Sequence, residues 1–383
     1  MSLSIQGTAR YAVTVVTLCL VVWIASTAVF CQSLPIPSLS GATNYLFCLD
    51  ALPCPEGNKI SFGRRYQWFN NVLSLQKGEG PLEPLEVTTD SPSYQGERLT
   101  WYEARSSRWS LFYAEGRAER IWGTKATAQA WLDARSKNLK PFYRVSVRER
   151  KGHWNWFGVS YTEEYVSKGR RGAFWAGLRY VRCLKFRDGQ AAGFLANGIL
   201  RGQIDFVSSR GVRLKAPAGK GLTLDAGVRH PISPQWTGLI VAENLWSQIR
   251  WRRVRRLTAA VDTGAFAKDP EGFIRDLPFL VGTESVLSET RHLERQVHLG
   301  VAYYRHNLTI GAIFSKRSGA SLWNIGLIGK SHRNNRWLLA FQFPYPTLFA
   351  GYEAGGTGIR LGLSHPDPAD ALTFFAEVRI SIR

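Results

Sequence analysis

The stretch LTFFAEVRISIR, residues 372–383, decides the fold of this chain. Apolar side chains recur at every second position from Leu372 to Ile382, and polar or small side chains fill most positions between them, with Phe375 as the exception. Successive residues of a β-strand point to opposite faces, so the stretch predicts a strand with one apolar and one polar face. A transmembrane β-barrel needs this pattern in every strand, because lipid lies outside it and water inside.

The same alternation recurs upstream, in the runs 174–180, 222–228, 297–303, 308–314 and 359–363. The polar face of these runs is rich in Gly, Thr, Ser and charged residues. A large soluble β-sandwich or a β-helix is the alternative, but a sandwich packs its apolar faces together and usually has shorter strands. In a barrel, the candidate lumen-facing residues are Thr223, Asp225, Arg229, Gln296, His298, Arg360, Glu377 and Arg379.

Aromatic residues end many of these runs. The chain has 383 residues, enough for one barrel and a smaller appendage, and it contains 14 Trp. Because Trp and Tyr favour the boundary between lipid and water, residues at run ends are predicted to lie at the membrane interface. Examples are Trp236, Trp251, Trp323, Trp337 and Tyr352.

The formal net charge is +20, and arginines concentrate in the run RWRRVRR, residues 250–256. Such a patch could bind nucleic acid, but no helix-turn-helix, zinc-finger or RNP motif accompanies it, so nucleic acid is not an expected partner. In a barrel the same charges would meet anionic lipid head groups, or line a lumen that attracts anions. The expected partners are therefore the lipid bilayer, its anionic head groups and a small-molecule solute; the sequence specifies no oligomeric state.

The first 31 residues have the pattern of a secretory signal peptide. Arg10 precedes an apolar stretch over 11–30, and small residues lie near the end of that stretch, at 25–28. The stretch is also long enough to span a bilayer, so a signal anchor is the alternative. Cleavage and export to the outer membrane are the favoured interpretation. Cys48 and Cys54 could then form a disulfide, because an exported protein meets an oxidising compartment. No histidine lies near them in the sequence, so a zinc site is not predicted there. The sequence predicts no cofactor.

The remaining chain divides into two parts. Residues 32–103 are an irregular segment that contains Pro and Cys, and they are compatible with a luminal plug, a periplasmic segment or an ordered loop region. Residues 104–383 predict the barrel, with a helix near 124–139 capped by Thr124 and a long loop near 257–293. The predicted fold class is all-β: an antiparallel transmembrane barrel of about 12–14 strands with one short helix.

Two segments carry a family resemblance. GLTLDAGVRHPISPQWTGLIVAENL (221–245) and LERQVHLGVAYYRHNLTIG (293–311) resemble strand pairs of the fatty-acid-transporter (FadL-like) superfamily, and more closely its PorV-like branch. The resemblance implies a barrel of about fourteen strands with a luminal plug, in a family of hydrophobic-compound transporters and secretion-associated barrels. The chain departs from that pattern in two places. It lacks the Asn-Pro-Ala-Gly type turn of the branch, and it ends at Arg383 without a terminal aromatic residue.

These observations predict a pore or transporter for a small anionic or hydrophobic solute. The alternatives are a structural barrel of a secretion or surface assembly, and a soluble exported β-rich binding protein. An enzyme is not expected, since no Ser/His/Asp order, His-Glu-x-x-His motif or phosphate loop is present. The remaining enzyme hypothesis is a barrel-borne lipid hydrolase, which would need a Ser–His pair with His298 as its base.

Overall fold

The computed structural model describes most of the chain from residue 59 onward. The described residues are 33–34, 59–70, 93–106, 108–135, 140–197, 199–209, 219–264, 266–268, 274–276, 280–317, 320–330, 335–343, 346–354, 356–364 and 373–382. The predicted signal peptide and the pair Cys48 and Cys54 lie outside them, as does most of the predicted plug.

The described part of the chain consists of β-strands and one α-helix. The helix is α1 (Lys125–Arg135). The strands are β1 (Ser33–Leu34), β2 (Lys59–Asn70), β3 (Ser93–Ser106), β4 (Trp109–Gly123), β5 (Phe142–Ser167), β6 (Arg170–Ala196), β7 (Ile199–Ser208), β8 (Gly219–Pro231), β9 (Trp236–Asp262), β10 (Phe266–Lys268), β11 (Ile274–Asp276), β12 (Leu280–Leu293), β13 (Gln296–Arg305), β14 (Leu308–Arg317), β15 (Ala320–Lys330), β16 (Arg336–Phe343), β17 (Thr347–Ala354), β18 (Thr357–Leu363) and β19 (Thr373–Ile382).

Strands β2–β9 and β12–β19 form a closed antiparallel barrel. β6 pairs with β8 along its first half and with β7 along its second half, so β7 and β8 occupy one strand position end to end. β12 and β13 share one position beside β9 in the same way. β19 pairs with β2 and closes the ring. The barrel therefore has 14 strand positions, as the alternation of the sequence predicted.

Two segment boundaries differ from the sequence prediction. Barrel strands begin at Lys59 rather than near residue 104, because β2 and most of β3 lie in the segment predicted to be irregular. Arg64 interrupts the outward row of Ile60, Phe62 and Tyr66, which conceals the alternation. The predicted loop over 257–293 contains the end of β9 and all of β12. The end of β9 and the strand β12 lack a continuous apolar face, because they lie above the apolar part of the outer surface.

The predicted helix is present as α1. Thr124 caps it: the backbone N–H of Thr127 donates to Thr124 Oγ1 at 3.3 Å, and that of Ala128 to the Thr124 carbonyl at 3.1 Å. Within the described residues, no helix is both long enough and apolar enough to cross a membrane.

Strand length divides the barrel into a tall wall and a short wall. β5, β6 and β9 have 26 or 27 residues each, whereas β14–β19 have 7 to 11. A membrane strand needs about 10 residues. The tall wall, which is β4–β9 with β12, therefore extends well beyond the bilayer at one end, which we call the upper end.

The two faces of the wall have opposite chemistry. The outer surface carries exposed apolar side chains such as Leu178, Leu224, Leu299 and Ile359, whereas the neighbouring residues on the inner face are polar and buried. A soluble sandwich would bury this apolar face against a second sheet. The closed barrel excludes a β-sandwich, and its exposed apolar band agrees with a membrane barrel. Phe375, the exception in the last run, points inward and packs on Phe349 at 5.5 Å between ring centroids.

Aromatic side chains border the apolar band at both ends. At the lower end, Trp109 lies 4.9 Å from Tyr161 and Trp236 lies 5.0 Å from Tyr303, with Trp337 and Tyr352 also exposed. At the upper end, Tyr66 pairs with Phe374, and Trp246 and Trp323 are exposed. Such girdles mark the two interfaces of a membrane. The interface prediction is wrong for Trp251, which is buried because it faces Cys183 and Phe186 inside the barrel.

The connections indicate the orientation of the barrel. At the lower end, residues 168–169 join β5 to β6 and residues 306–307 join β13 to β14. Lys168 and Gly169 both have positive φ (52° and 72°), as a two-residue hairpin turn requires. Helix α1, which connects β4 to β5, lies at the upper end. Because outer-membrane barrels have short periplasmic turns and longer extracellular loops, we infer that the tall wall extends into the extracellular space.

Candidate functional site in the barrel lumen

The residues predicted to face the lumen lie on the inner face of four strands. Six are buried, namely Thr223, Arg229, Gln296, His298, Arg360 and Glu377, and two are partly exposed, Asp225 and Arg379. All of them alternate with outward apolar residues of β8, β13, β18 and β19. That a solute contacts them stays a prediction.

Asp225 and Thr223 belong to a larger group of buried polar side chains, which we call the bulge cluster. Asp225 forms an ion pair with Arg179 of β6, and the Arg179 guanidinium also donates to Asn244 Oδ1 at 2.9 Å. Thr223 Oγ1 donates to the same Asn244 oxygen at 3.0 Å. Asn244 Nδ2 donates to the carbonyl of Glu294 at 2.8 Å. One asparagine thus joins β6, β8 and β9 to the junction of β12 with β13.

The backbone of Asn244 explains why this cluster exists. The register between β8 and β9 shifts between Leu224 and Ala226, and Asn244 has φ of 55°. Such a β-bulge redirects a side chain, and Asn tolerates positive φ better than most residues. The backbone N–H of Asn244 donates to Asp225 Oδ1 at 2.8 Å. The bulge therefore provides a hydrogen-bond donor for the buried Asp225 carboxylate. It also positions the side-chain amide of Asn244.

Two of the other predicted residues pair with each other. Arg360 Nη1 lies 3.0 Å from Glu377 Oε1, and both side chains are almost fully buried. Arg65 lies opposite Glu377 in the β2–β19 register. Buried ion pairs require partners for both charges, because removing one leaves the other uncompensated.

His298 has a serine partner inside the barrel. His298 Nδ1 and Ser315 Oγ are 2.8 Å apart, and the two residues lie opposite each other in the β13–β14 register. The predicted Ser–His contact thus exists, with Ser315 as a residue that sequence reasoning did not identify. Catalysis would also need a positioned carboxylate and an oxyanion site.

Apolar side chains also fill the inner face, in what we call the aromatic cluster of Trp154, Trp156, Phe186 and Trp251. Phe186 and Trp251 have ring centroids 4.1 Å apart, and Trp154 lies edge-on to Trp251 at 5.7 Å. Glycine makes room for these rings. A Cβ at Gly152 would lie 2.0 Å from Trp154 Nε1, which no real side chain allows. A second apolar group on the inner face lies between β9 and β19 and includes Leu239, Ile313, Ile328, Phe349 and Phe375.

Above the aromatic cluster, the inner face of the tall wall carries the arginine cluster, formed by Arg148, Arg150 and Arg291 around Asp188. Arg291 Nη1 lies 2.7 Å from Asp188 Oδ2, while the Nε atoms of Arg150 and Arg148 lie 3.3 and 4.0 Å from Asp188 Oδ1. Arg291 also pairs with Glu289 at 2.6 Å. Burial lowers the pKa of Arg148, and the neighbouring Arg150 and Arg291 lower it further against the opposing effect of Asp188.

Aromatic rings connect the arginine cluster to the aromatic cluster below it. The guanidinium carbons of Arg148 and Arg150 lie 5.5 Å from the Trp122 ring centroid, and that of Arg120 lies 5.2 Å from it. Arg291 lies 5.2 Å above the ring of Phe186. These distances are typical of cation–π contacts. A cationic surface and an aromatic surface thus adjoin inside the barrel.

Several of these residues were missed at the sequence level for different reasons. Arg179 lies at a polar position of the run 174–180, so the alternation could have predicted that its side chain points inward. Arg291 and Glu289 lie in the segment predicted to be a loop. Asn244 acts through a bulge, which has no reliable signal in a single sequence.

Comparisons with known proteins found similar solved structures. No family model matches the chain, and no curated protein matches it. Among solved structures, the chain is similar to the toluene transporter TodX of P. putida (10% identity, 90% of this chain and 91% of that chain, TM-score 0.45). It is also similar to a FadL homologue of Pseudomonas aeruginosa (11%, 85% and 88%, TM-score 0.40) and to the translocator domain of the autotransporter NalP from Neisseria meningitidis (8%, 89% and 93%, TM-score 0.35).

These neighbours are named as a transporter, a FadL homologue and a translocator, and none of them is named as an enzyme. The predicted resemblance to FadL-like barrels agrees with them, whereas the PorV-like branch stays a prediction.

Proposed function

We propose that this protein is an outer-membrane barrel, exported by its N-terminal leader, that passes a small anionic solute with an apolar body. One observation carries the proposal: the arginine cluster lies directly above the aromatic cluster on the inner face of the tall wall. A solute that enters from the extracellular side would meet the arginines first and the indole rings next.

The charge balance of the arginine cluster supports an anionic group on the solute. The arginine cluster contains three guanidiniums and two carboxylates, Asp188 and Glu289. A concave surface with low-dielectric walls concentrates the field of such an excess and raises the local concentration of counter-ions. Arg148 is the most accessible of the three arginines around Asp188, with 36% of its side chain exposed. We infer that Arg148 is the first contact of the anion.

The aromatic cluster supports an apolar body next to that anionic group. Sites for small molecules are mostly apolar, with few polar groups that orient the ligand. Trp154, Trp251 and Phe186 provide flat apolar surface beside Arg291, whose guanidinium carbon lies 5.2 Å from the Phe186 ring centroid. An inorganic anion would use the arginines alone, so the adjoining rings favour an organic anion.

Measurement of the ionic current across planar bilayers tests whether the barrel selects anions. Purified protein should conduct, and the reversal potential in a KCl gradient should indicate anion selectivity. Arg148→Gln should reduce that selectivity, and Arg148→Lys should retain it. Arg182→Gln is the matched control, because Arg182 is exposed on the outer face of the same wall, opposite Asn155 and Lys220 in the register.

Each outcome decides the proposal. Cation selectivity, or equal effects of Arg148→Gln and Arg182→Gln, would contradict the role of the arginine cluster. A folded protein that neither conducts nor releases an entrapped aromatic carboxylate from liposomes would contradict passage of the solute. That result would favour a structural barrel of a secretion or surface assembly.

A further inference from the structure

The outer face of the tall wall carries a concave groove just above the apolar band. On β4, the exposed apolar residues Leu111 and Tyr113 are followed at outward positions by Glu115, Arg117 and Glu119. The change from apolar to charged side chains marks the upper edge of the band. A groove of about 1110 Å³ lies there. Its described lining includes Arg98, Arg117, Lys151, Lys185, Arg187 and Arg255.

Positive charge dominates this groove. Among its described lining residues, six are Lys or Arg and three are Glu, namely Glu97, Glu119 and Glu284. Glu119, Glu284 and the neighbouring Glu149 are already paired: Lys151 lies 2.5 Å from Glu119 and 2.8 Å from Glu149, and Arg255 pairs with Glu284. Glu97 is buried and accepts a hydrogen bond from Gln95 Nε2 at 2.9 Å. Arg98, Arg117 and Lys185 form no ion pair with any carboxylate in the described part of the chain. They remain available to an external anion.

Three further cations form a row along the lower edge of the groove, which we call the cation row. Arg182, Lys220 and Arg250 lie opposite one another in the registers of β6, β8 and β9, and all three are exposed. None of them pairs with a carboxylate within the described residues. One or two outward positions below them lie the exposed apolar residues Tyr180, Leu222 and Trp246. Cationic and apolar surfaces therefore meet at the height where lipid head groups meet acyl chains.

Aromatic side chains line the same groove. Phe206 lies beneath Arg187, whose guanidinium carbon is 4.5 Å from the ring centroid. Tyr94 is half-buried, and burial and the nearby Glu119 raise the pKa of its hydroxyl. Its hydroxyl can donate a hydrogen bond to a ligand oxygen. Flat rings among cations suit a ligand that carries both sugar rings and phosphates.

We propose that the groove and the cation row bind the phosphorylated head group of a glycolipid in the outer leaflet. Arg98, Arg117 and Lys185 would contact phosphates from the groove, and the cation row would contact them from below. The acyl chains would lie on Tyr180, Leu222 and Trp246. Charge-assisted bonds to phosphate are among the strongest that a protein surface makes. A soluble phosphate would use only the charges, so the adjoining apolar surface favours the lipid.

Lipid binding to the purified barrel in detergent tests this proposal. The probe is a lipid A that carries two sugars and both phosphates, measured by native mass spectrometry and by competition with a fluorescent analogue. The triple variant Arg182→Gln, Lys220→Gln and Arg250→Gln should bind roughly 100-fold more weakly, at about 1 kcal/mol per cation. The double variant Arg98→Gln and Arg117→Gln should lose roughly 30-fold.

The controls separate the sources of the phosphate. Arg305→Gln with Lys330→Gln removes two exposed cations at the lower end of the barrel and should leave binding unchanged. Heat-modifiable migration establishes that every variant is folded. Equal binding of dephosphorylated lipid A would overturn the proposal, as would unchanged binding by the triple variant. Inorganic phosphate that competes as well as the lipid would assign a soluble-anion site instead. The inference rests on the outer-membrane location but not on solute passage, since binding is measured without a current.

Discussion

The position of the apolar band predicts how strongly a lysine destabilises the barrel at two depths. Leu299 lies in the middle of the outward row of β13, opposite Ile240 and Phe314, and is 37% exposed. Leu222 lies at the upper edge of the band, opposite Tyr180, and its next outward neighbour on β8 is Lys220. Both leucines have similar exposure on the outer face, so they differ mainly in depth.

A lysine on the lipid face costs about 2–4 kcal/mol at the bilayer midplane and about 0–1 kcal/mol near the interface. Leu299→Lys should therefore lower the folded-to-unfolded ratio by roughly 30- to 800-fold, because each 1.4 kcal/mol is tenfold. Leu222→Lys should stay within about fivefold, since its ammonium reaches the head groups beside Lys220. Leu299→Ala and Leu222→Ala measure the loss of the leucine itself, so the difference from Lys isolates the charge.

Guanidinium titration of the barrel in lipid vesicles, followed by tryptophan fluorescence, gives these free energies where unfolding is reversible. The two lysine-minus-alanine differences should differ by at least about 1 kcal/mol, with Leu299 the larger. Equal costs at both sites, or a stable Leu299→Lys variant, would refute the location of the apolar band in lipid. The transmembrane assignment would then lose its main support.

Three further predictions follow from other parts of the chain. The protein should remain in the outer-membrane fraction after carbonate washing and show heat-modifiable migration, and release into the soluble fraction would contradict the localisation. Cys48 and Cys54 should appear as one disulfide-linked peptide in mass mapping without reductant, and two free thiols would count against both the bridge and export. Asn244→Ala should destabilise the barrel by about 2–4 kcal/mol, because Arg179 and the Glu294 carbonyl lose buried partners and alanine is strained at positive φ. Asn244→Gly removes the same bonds without the strain and should cost about 1 kcal/mol less in the same titration.

Alternation predicted much of the fold because one physical cause acts on every membrane strand. Each strand from β13 to β19 contacts lipid on one face and the interior on the other, so its period of two is visible in the residues themselves. The inward direction of Thr223 and Glu377 followed from the same rule. The rule is weaker where an outward arginine interrupts the row, as Arg64 does in β2, and where both faces lie beyond the membrane, as in β12.

Alternation could not predict which inner side chains contact one another. Ser315 was not linked to His298, nor Asn244 to Arg179, because those pairs depend on strand order and register. A shift of one residue in register would separate each pair and turn the side chains to the other face.

The sequence by itself determined which faces meet lipid, and hence the barrel class and the approximate strand number, since burial of apolar surface depends on local alternation. Only the tertiary structure decided that β7 with β8, and β12 with β13, each share one strand position. It also decided that the wall is tall on one side, and that Arg148, Arg150 and Arg291 meet around Asp188. These features depend on pairing between residues far apart in the chain, and pairing energy comes from contacts that no single segment contains.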